Sequence, residues 1–103
     1  MGKPESKVET RFRDGIKALG GRAYKFVSPG CNGVPDRVVC LPDGRTVFVE
    51  LKSPKGVMSK QQIRRKAELL QMNQSVYVLS TTEQVDNFLR KIRGELYCGV
   101  HTP

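Results

Sequence analysis

Apolar positions along this chain change their period several times, and each change marks an element. From about Pro4 to Leu19 the residues Val8, Phe12, Ile16 and Leu19 recur at helical spacing, and Gly20-Gly21 follows as a stop, which predicts a first helix. Arg22 to Val27 (RAYKFV) reads as a strand, and Ser28 to Pro35 (SPGCNGVP) as a loop rich in Gly and Pro. Arg37 to Leu41 (RVVCL) and Thr46 to Leu51 (TVFVEL) are β-branched runs joined by Pro42-Asp43-Gly44-Arg45, the signature of an antiparallel hairpin. A second helix is expected from Ser59 to about Met72, with Ile63, Ala67 and Leu70 as its buried face and Asn73 taking the left-handed position after it. Ser75 to Ser80 (SVYVLS) is a continuous apolar strand. Thr81 to Arg93 forms a third helix with Val85, Phe88, Leu89 and Ile92 as its stripe, closed by Gly94. The order α-β-β-β-α-β-α predicts an α/β fold, a mixed sheet covered by helices, in one domain over residues 1–103 with a loose tail from about residue 95.

Composition narrows the function classes. Eighteen Lys and Arg against ten Asp and Glu give a formal net charge of +8, which suits a polyanionic partner and puts nucleic acid first. The alternative on charge alone is a soluble basic protein. Cys31, Cys40 and Cys98 form an odd set with no CxxC pair, and His101 is the only histidine, so neither a disulfide framework nor a zinc site is expected. The first residues, MGKPESKVET, carry no apolar signal segment, and no run approaches the ~18 apolar residues of a membrane span, which makes the cytoplasm the default expectation.

The chemistry gathers around the hairpin. Glu50 and Lys52 are two residues apart on a strand and share a face, opposite Val47, Val49 and Leu51. Asp36 sits where the Gly/Pro loop meets the first hairpin strand, which can fold it back towards Glu50. Two carboxylates so placed repel unless a cation lies between them, and a hard oxygen site of this kind suits Mg²⁺, with Mn²⁺ as substitute. For phosphodiester hydrolysis the metal polarises the phosphate and lowers the pKa of a water, while Lys52 orients that water and stabilises developing charge. An ExK tripeptide alone has a plain alternative, a half-exposed strand whose Glu and Lys face water.

The combination is more specific: Gly33-Val34-Pro35-Asp36, eleven intervening residues, then Phe48-Val49-Glu50-Leu51-Lys52, which leaves thirteen residues between Asp36 and Glu50. This resembles the PD-(D/E)XK nuclease superfamily, and within it the VRR-NUC group of small phage and bacterial nucleases, with a GVPD loop followed by an apolar ExK strand. KFVSPG ahead of the PD, an S-x-x-Q helix start at Ser59 to Gln62, and the VYVLS strand extend the match over nearly the whole chain. Asn73, where relatives usually show Gly, is a departure that touches only the end of the second helix.

The resemblance implies a restriction-endonuclease-like sheet, a glutamine beside the active site and a fourth acid from the first helix. The candidate catalytic residues are Asp36, Glu50, Lys52 and Gln62. The candidate metal ligands are Asp36, Glu50, the backbone carbonyl of Leu51, and Glu5 or Glu9. At about 100° per residue, with Val8 at zero, Glu5 falls at roughly 60° inside the apolar stripe and Glu9 at roughly 100°. That favours Glu5, although the angle has no meaning if the helix starts at Ser6. Glu9 has a local alternative, because Ser6-Lys7-Val8-Glu9 is a capping box. Ser59-Lys60-Gln61-Gln62 is another, so Gln62 caps the helix or serves the site, one side chain being poorly suited to both.

Lys52, Lys55, Lys60, Arg64, Arg65 and Lys66 follow one another with no acidic residue between, leading from the ExK strand into the second helix. Lys55, Lys60, Arg64, Arg65 and Lys66 are therefore candidate contacts to a nucleic-acid backbone, against the alternative of a solvated helix face. The loop residues Gly30, Asn32 and Gly33 could approach a backbone closely or could simply turn the chain. No zinc finger, RNP motif or helix-turn-helix is present, so structure-specific cutting of DNA is favoured over base readout. One metal site per chain suggests a homodimer for cutting two strands. The resemblance adds Holliday-junction or other branched DNA as the substrate and repair as the setting, in a bacterium or phage-infected host. Alternatives are a flap or nicking repair nuclease, a non-catalytic module that keeps the fold, and a restriction-type enzyme, for which 103 residues barely suffice.

Overall fold

Ser6 caps helix α1 (Lys7–Ala18), its hydroxyl accepting the Glu9 N–H at 3.1 Å. In the computed structural model residues 6–99 are described, with side chains to Tyr97. The remaining elements are β1 (Arg22–Lys25), β2 (Arg37–Cys40), β3 (Thr46–Leu51), α2 (Lys60–Gln71), β4 (Val76–Leu79) and α3 (Thr82–Gly99). The element order and the α/β class expected from the sequence are those observed. Gly20 at φ 88° and Asn73 at φ 62° end α1 and α2 in the left-handed region, as the sequence signals require, and Gly44 at φ 92° turns the hairpin.

The four strands lie in the order β1-β2-β3-β4, antiparallel until the last pair, where β3 and β4 run parallel with α2 as the crossover. Period two divides the sheet. Val39, Leu41, Val47, Val49 and Leu79 point to one side and pack against Phe12 and Ile16 of α1 and Val85, Phe88 and Ile92 of α3. Burying each such side chain stabilises by about 1.5–3 kcal/mol. The two helices approach so closely that a Cβ on Gly15 would meet Leu89 Cδ1 at 2.2 Å, and Arg11 of α1 reaches Asp86 of α3 at 2.6 Å. Phe26, Phe48 and Glu50 occupy the other side, where the Phe26 and Phe48 rings pack tilted at 47° with centroids 6.0 Å apart.

Two expectations need correction. Helix α3 does not stop at Gly94, nor is the chain loose from residue 95; it runs to Gly99. Tertiary contacts hold the extra turn, since Leu96 packs on the core and Glu95 binds Lys91 at 2.7 Å and Arg45 at 2.9 Å. Gly94, with open space around its missing side chain, is simply carried through. Second, Ile63, Ala67 and Leu70 are not the buried face of α2: Ile63 is 56% and Leu70 48% exposed, and α2 buries no residue fully. The side turned inwards carries the partly buried Gln62, Arg65, Lys66 and Leu69. A polar contact with the loop and Glu50, described below, outweighs the apolar stripe in setting the rotation of this helix. No helix among the described residues is long and apolar enough to cross a membrane.

Candidate active site

The hairpin register pairs Arg37 with Val49, so one residue further Asp36 falls across from Glu50. Two hydrogen bonds latch them. The Asp36 backbone N–H donates to Glu50 Oε1 at 3.1 Å, and the Leu51 N–H donates to Asp36 Oδ1 at 3.0 Å. Lys52, on the same face as Glu50, brings its Nζ to 3.5 Å from Glu50 Oε2. Asp36, Glu50 and Lys52 therefore meet at one end of the sheet.

Glu50 is the one buried charged residue of the described chain, 5% exposed. Burial, reinforced by the negative charge of Asp36, pushes its carboxyl above the ordinary value, with Lys52 opposing. Burial also raises Asp36, against the Leu51 hydrogen bond and the charge of Arg37. Each acid thus carries an unrelieved cost of ionisation, and a hard cation between them would remove it. Among the described residues no three His, Cys, Asp or Glu converge on a metal position. Two carboxylates supplemented by a backbone carbonyl, water and substrate phosphate nevertheless match how Mg²⁺ is commonly held, so the donor set fits that ion.

Gln62 resolves the choice between cap and site by doing both. Its Oε1 accepts the Ser59 N–H at 2.9 Å while Ser59 Oγ accepts the Gln62 N–H at 3.1 Å, a complete capping box. Its amide nitrogen then donates to Glu50 Oε2 at 3.1 Å. The expectation that one side chain serves only one role overlooked that a carboxamide has two chemically different ends. Gln62→Ala is expected to cost about 1–2 kcal/mol of stability, read in a thermal melt, and to lower cleavage about tenfold through the misplaced Glu50.

The loop and α2 are joined tightly. Gly33, at φ 90°, lies so close to α2 that a Cβ would sit 2.5 Å from the Gln61 carbonyl, and Arg65 Nε donates to the Asn32 carbonyl at 3.0 Å. Arg65 also pairs with Glu68. The structure thus gives Arg65 a place bracing the loop, whereas Lys55, Lys60 and Arg64 are exposed on the outside and Lys66 is half-buried.

Glu5 lies outside the described residues, and because α1 begins at Lys7 its helical angle carries no argument. Glu9 is held by Ser6 Oγ at 3.2 Å and by Arg37 Nη2 at 3.3 Å. Arg37 continues to the Asp36 carbonyl at 3.0 Å and Asp36 Oδ2 at 3.2 Å, so Glu9 reaches Asp36 through a guanidinium. Arg37 was not singled out from the sequence. Its signal is there, however: it shares the alternation of Val39 and Leu41, a position facing the core where a charge needs a carboxylate partner.

No family model matches the chain. It is 42% identical over 79 residues to "Putative nuclease p44" of Acyrthosiphon pisum secondary endosymbiont phage 1, covering 77% of this chain and 85% of that one. Its structure superposes on a solved VRR_NUC domain with a TM-score of 0.76 and 29% identity, over 82% of this chain and 91% of the other. With the GVPD loop, the ExK strand and their meeting at the sheet end, these likenesses establish that the chain belongs to the VRR-NUC nuclease family.

Proposed function

We propose that this chain is a Mg²⁺-dependent DNA endonuclease that cuts branched DNA as a homodimer. The observation carrying this reading is the meeting of a buried Glu50 and a half-buried Asp36, both with raised carboxyls, beside Lys52. Asp36, Glu50 and the Leu51 carbonyl would hold the cation, which would supply polarisation of the scissile phosphate and a more acidic water. Lys52 directs its ammonium at the attacking water and at the charge that develops on phosphorus. Gln62 fixes Glu50, and Arg37 fixes Asp36 and Glu9, so Glu9 acts behind the ligands rather than among them. Lys55, Lys60 and Arg64 bind the phosphate backbone leading to the site, supported by the overall charge of +8.

The test is incubation of the protein with duplex, flap, splayed-arm and four-way DNA in Mg²⁺, Mn²⁺ or chelator. Metal-dependent cutting with four-way DNA preferred is the expected result. Cutting in chelator would overturn the metal role; a preference for flaps would move the substrate, and binding without cutting would make the chain a non-catalytic module.

Thermal stability offers an independent check. A carboxyl whose pKa folding has raised costs stability while ionised, so Asp36 and Glu50 favour the metal-free fold increasingly as pH falls from neutrality towards about 4. Asp86, held low by Arg11, and Glu95, held low by Lys91 and Arg45, act in the opposite sense. The quantity to read is therefore the difference between melts in Mg²⁺ and in chelator. At about a hundredfold excess over Kd the increment is about 2.7 kcal/mol, or on the order of 10 °C, at neutral pH. It shrinks to nothing as acid protonates the pair.

A further inference from the structure

We infer that the apolar flank of α2 formed by Ile63, Ala67 and Leu70 is where a second copy of this chain docks, with the two α2 helices antiparallel across a two-fold axis near Ala67. This rests on the homodimer proposed above and supplies its surface. Residues 63, 67 and 70 lie on one stripe of the helix. Gln61 and Arg65 lie about 180° away around it, and that flank is occupied: Gly33 touches Gln61, and Arg65 binds the Asn32 carbonyl. The apolar stripe therefore faces away from the β1–β2 loop, towards the side where β4 forms the sheet edge. Val76-Tyr77-Val78-Leu79 on that edge carries no charge and no proline, the usual guards against pairing, so this side of the molecule calls for a cover.

Charge selects the occupant and its direction. The basic residues of α2, Lys60, Arg64, Arg65 and Lys66, all lie in its first seven positions, and the remainder, Ala-Glu-Leu-Leu-Gln, has none. Antiparallel pairing sets each basic half beside the half of its mate that holds Glu68 and no basic residue; parallel pairing would stack like charges. It also places Ile63 against the mate's Leu70, and Ala67 against Ala67, where a methyl group allows helix axes about 8 Å apart. The contact is self-complementary, as a two-fold interface must be. Because Gln62 at the start of α2 binds Glu50, the two acid pairs fall at opposite ends of the contact, on the order of 20 Å apart.

Sedimentation at moderate salt, which screens the net positive charge, tests this with wild type and Ile63→Glu/Leu70→Glu. A dimeric wild type and a folded double variant at half the mass, with its circular dichroism retained, support the interface. A dimeric double variant sinks the interface but leaves the dimer standing. A wild type that stays monomeric, with and without DNA, sinks both, while metal-dependent cleavage is judged by its own assay. Weaker DNA binding by the double variant at unchanged mass would make the stripe a DNA contact and overturn the inference. Should the double variant not fold, Ala67→Cys in the otherwise native chain decides: mild oxidation is expected to give a 67-to-67 linked dimer, identified by peptide mass, and Glu68→Cys on the opposite flank none. Equal linkage at both positions would refute it.

Discussion

Asp36→Asn is expected to lower kcat/KM by about a thousandfold or more while leaving the protein folded. The substitution retains the shape of the side chain, and its carbonyl oxygen can still accept the Leu51 N–H that positions the loop against β3. What it removes is the charge that a divalent cation needs. The Mg²⁺-dependent rise in melting temperature should vanish with it, which separates loss of metal from loss of fold. Lys52→Met leaves both carboxylates in place and should retain that rise while kcat falls about a hundredfold or more. Cleavage by either variant at the wild-type rate would remove Asp36 or Lys52 from the chemistry.

Gly33→Ala is expected to be the most damaging single change outside the acid pair. At φ 90° any side chain is strained, which costs about 1–3 kcal/mol. The added Cβ also meets α2 backbone at 2.5 Å, and backbone gives way less readily than a side-chain tip. Overpacking of this kind costs about another 1–3 kcal/mol, against a total stability of only about 5–15 kcal/mol. The clash falls at Gln61, one residue from the amide that binds Glu50, so activity should fall further than stability alone accounts for. Gly30→Ala, in the same loop with open space around it, is the matched control and should be nearly silent in both melting temperature and kcat/KM.

Much of this arrangement was legible beforehand, because it follows from local rules. Period two put Glu50 and Lys52 on one face, and a hairpin with Asp36 at its base can hardly avoid bringing Asp36 opposite Glu50. The elements, their order and most of their stripes came from the same periodicities. The rotation of α2 did not, since the helix follows Gly33, Asn32 and Glu50, three partners that no window around residue 63 contains. Nor did the end of α3, where Glu95 answers to Arg45, fifty residues away. Arg37 was overlooked for a different reason: its alternation with Val39 was visible, but a basic residue in a basic chain draws no notice until its carboxylate partners are placed.

The close seating of α1 against α3 governs the order in which this chain can fold. Arg11 and Asp86 are separated by 75 residues, and Phe12 and Phe88 meet across nearly the same span. Three of the ten core side chains, Val85, Phe88 and Ile92, are therefore missing until α3 has left the ribosome. The sheet must wait with part of its apolar face bare, and contacts of such long range are slow to form because loop closure precedes any reward. During synthesis the nascent domain carries its acid pair beside an exposed hydrophobic surface, and only the arrival of α3 closes that surface.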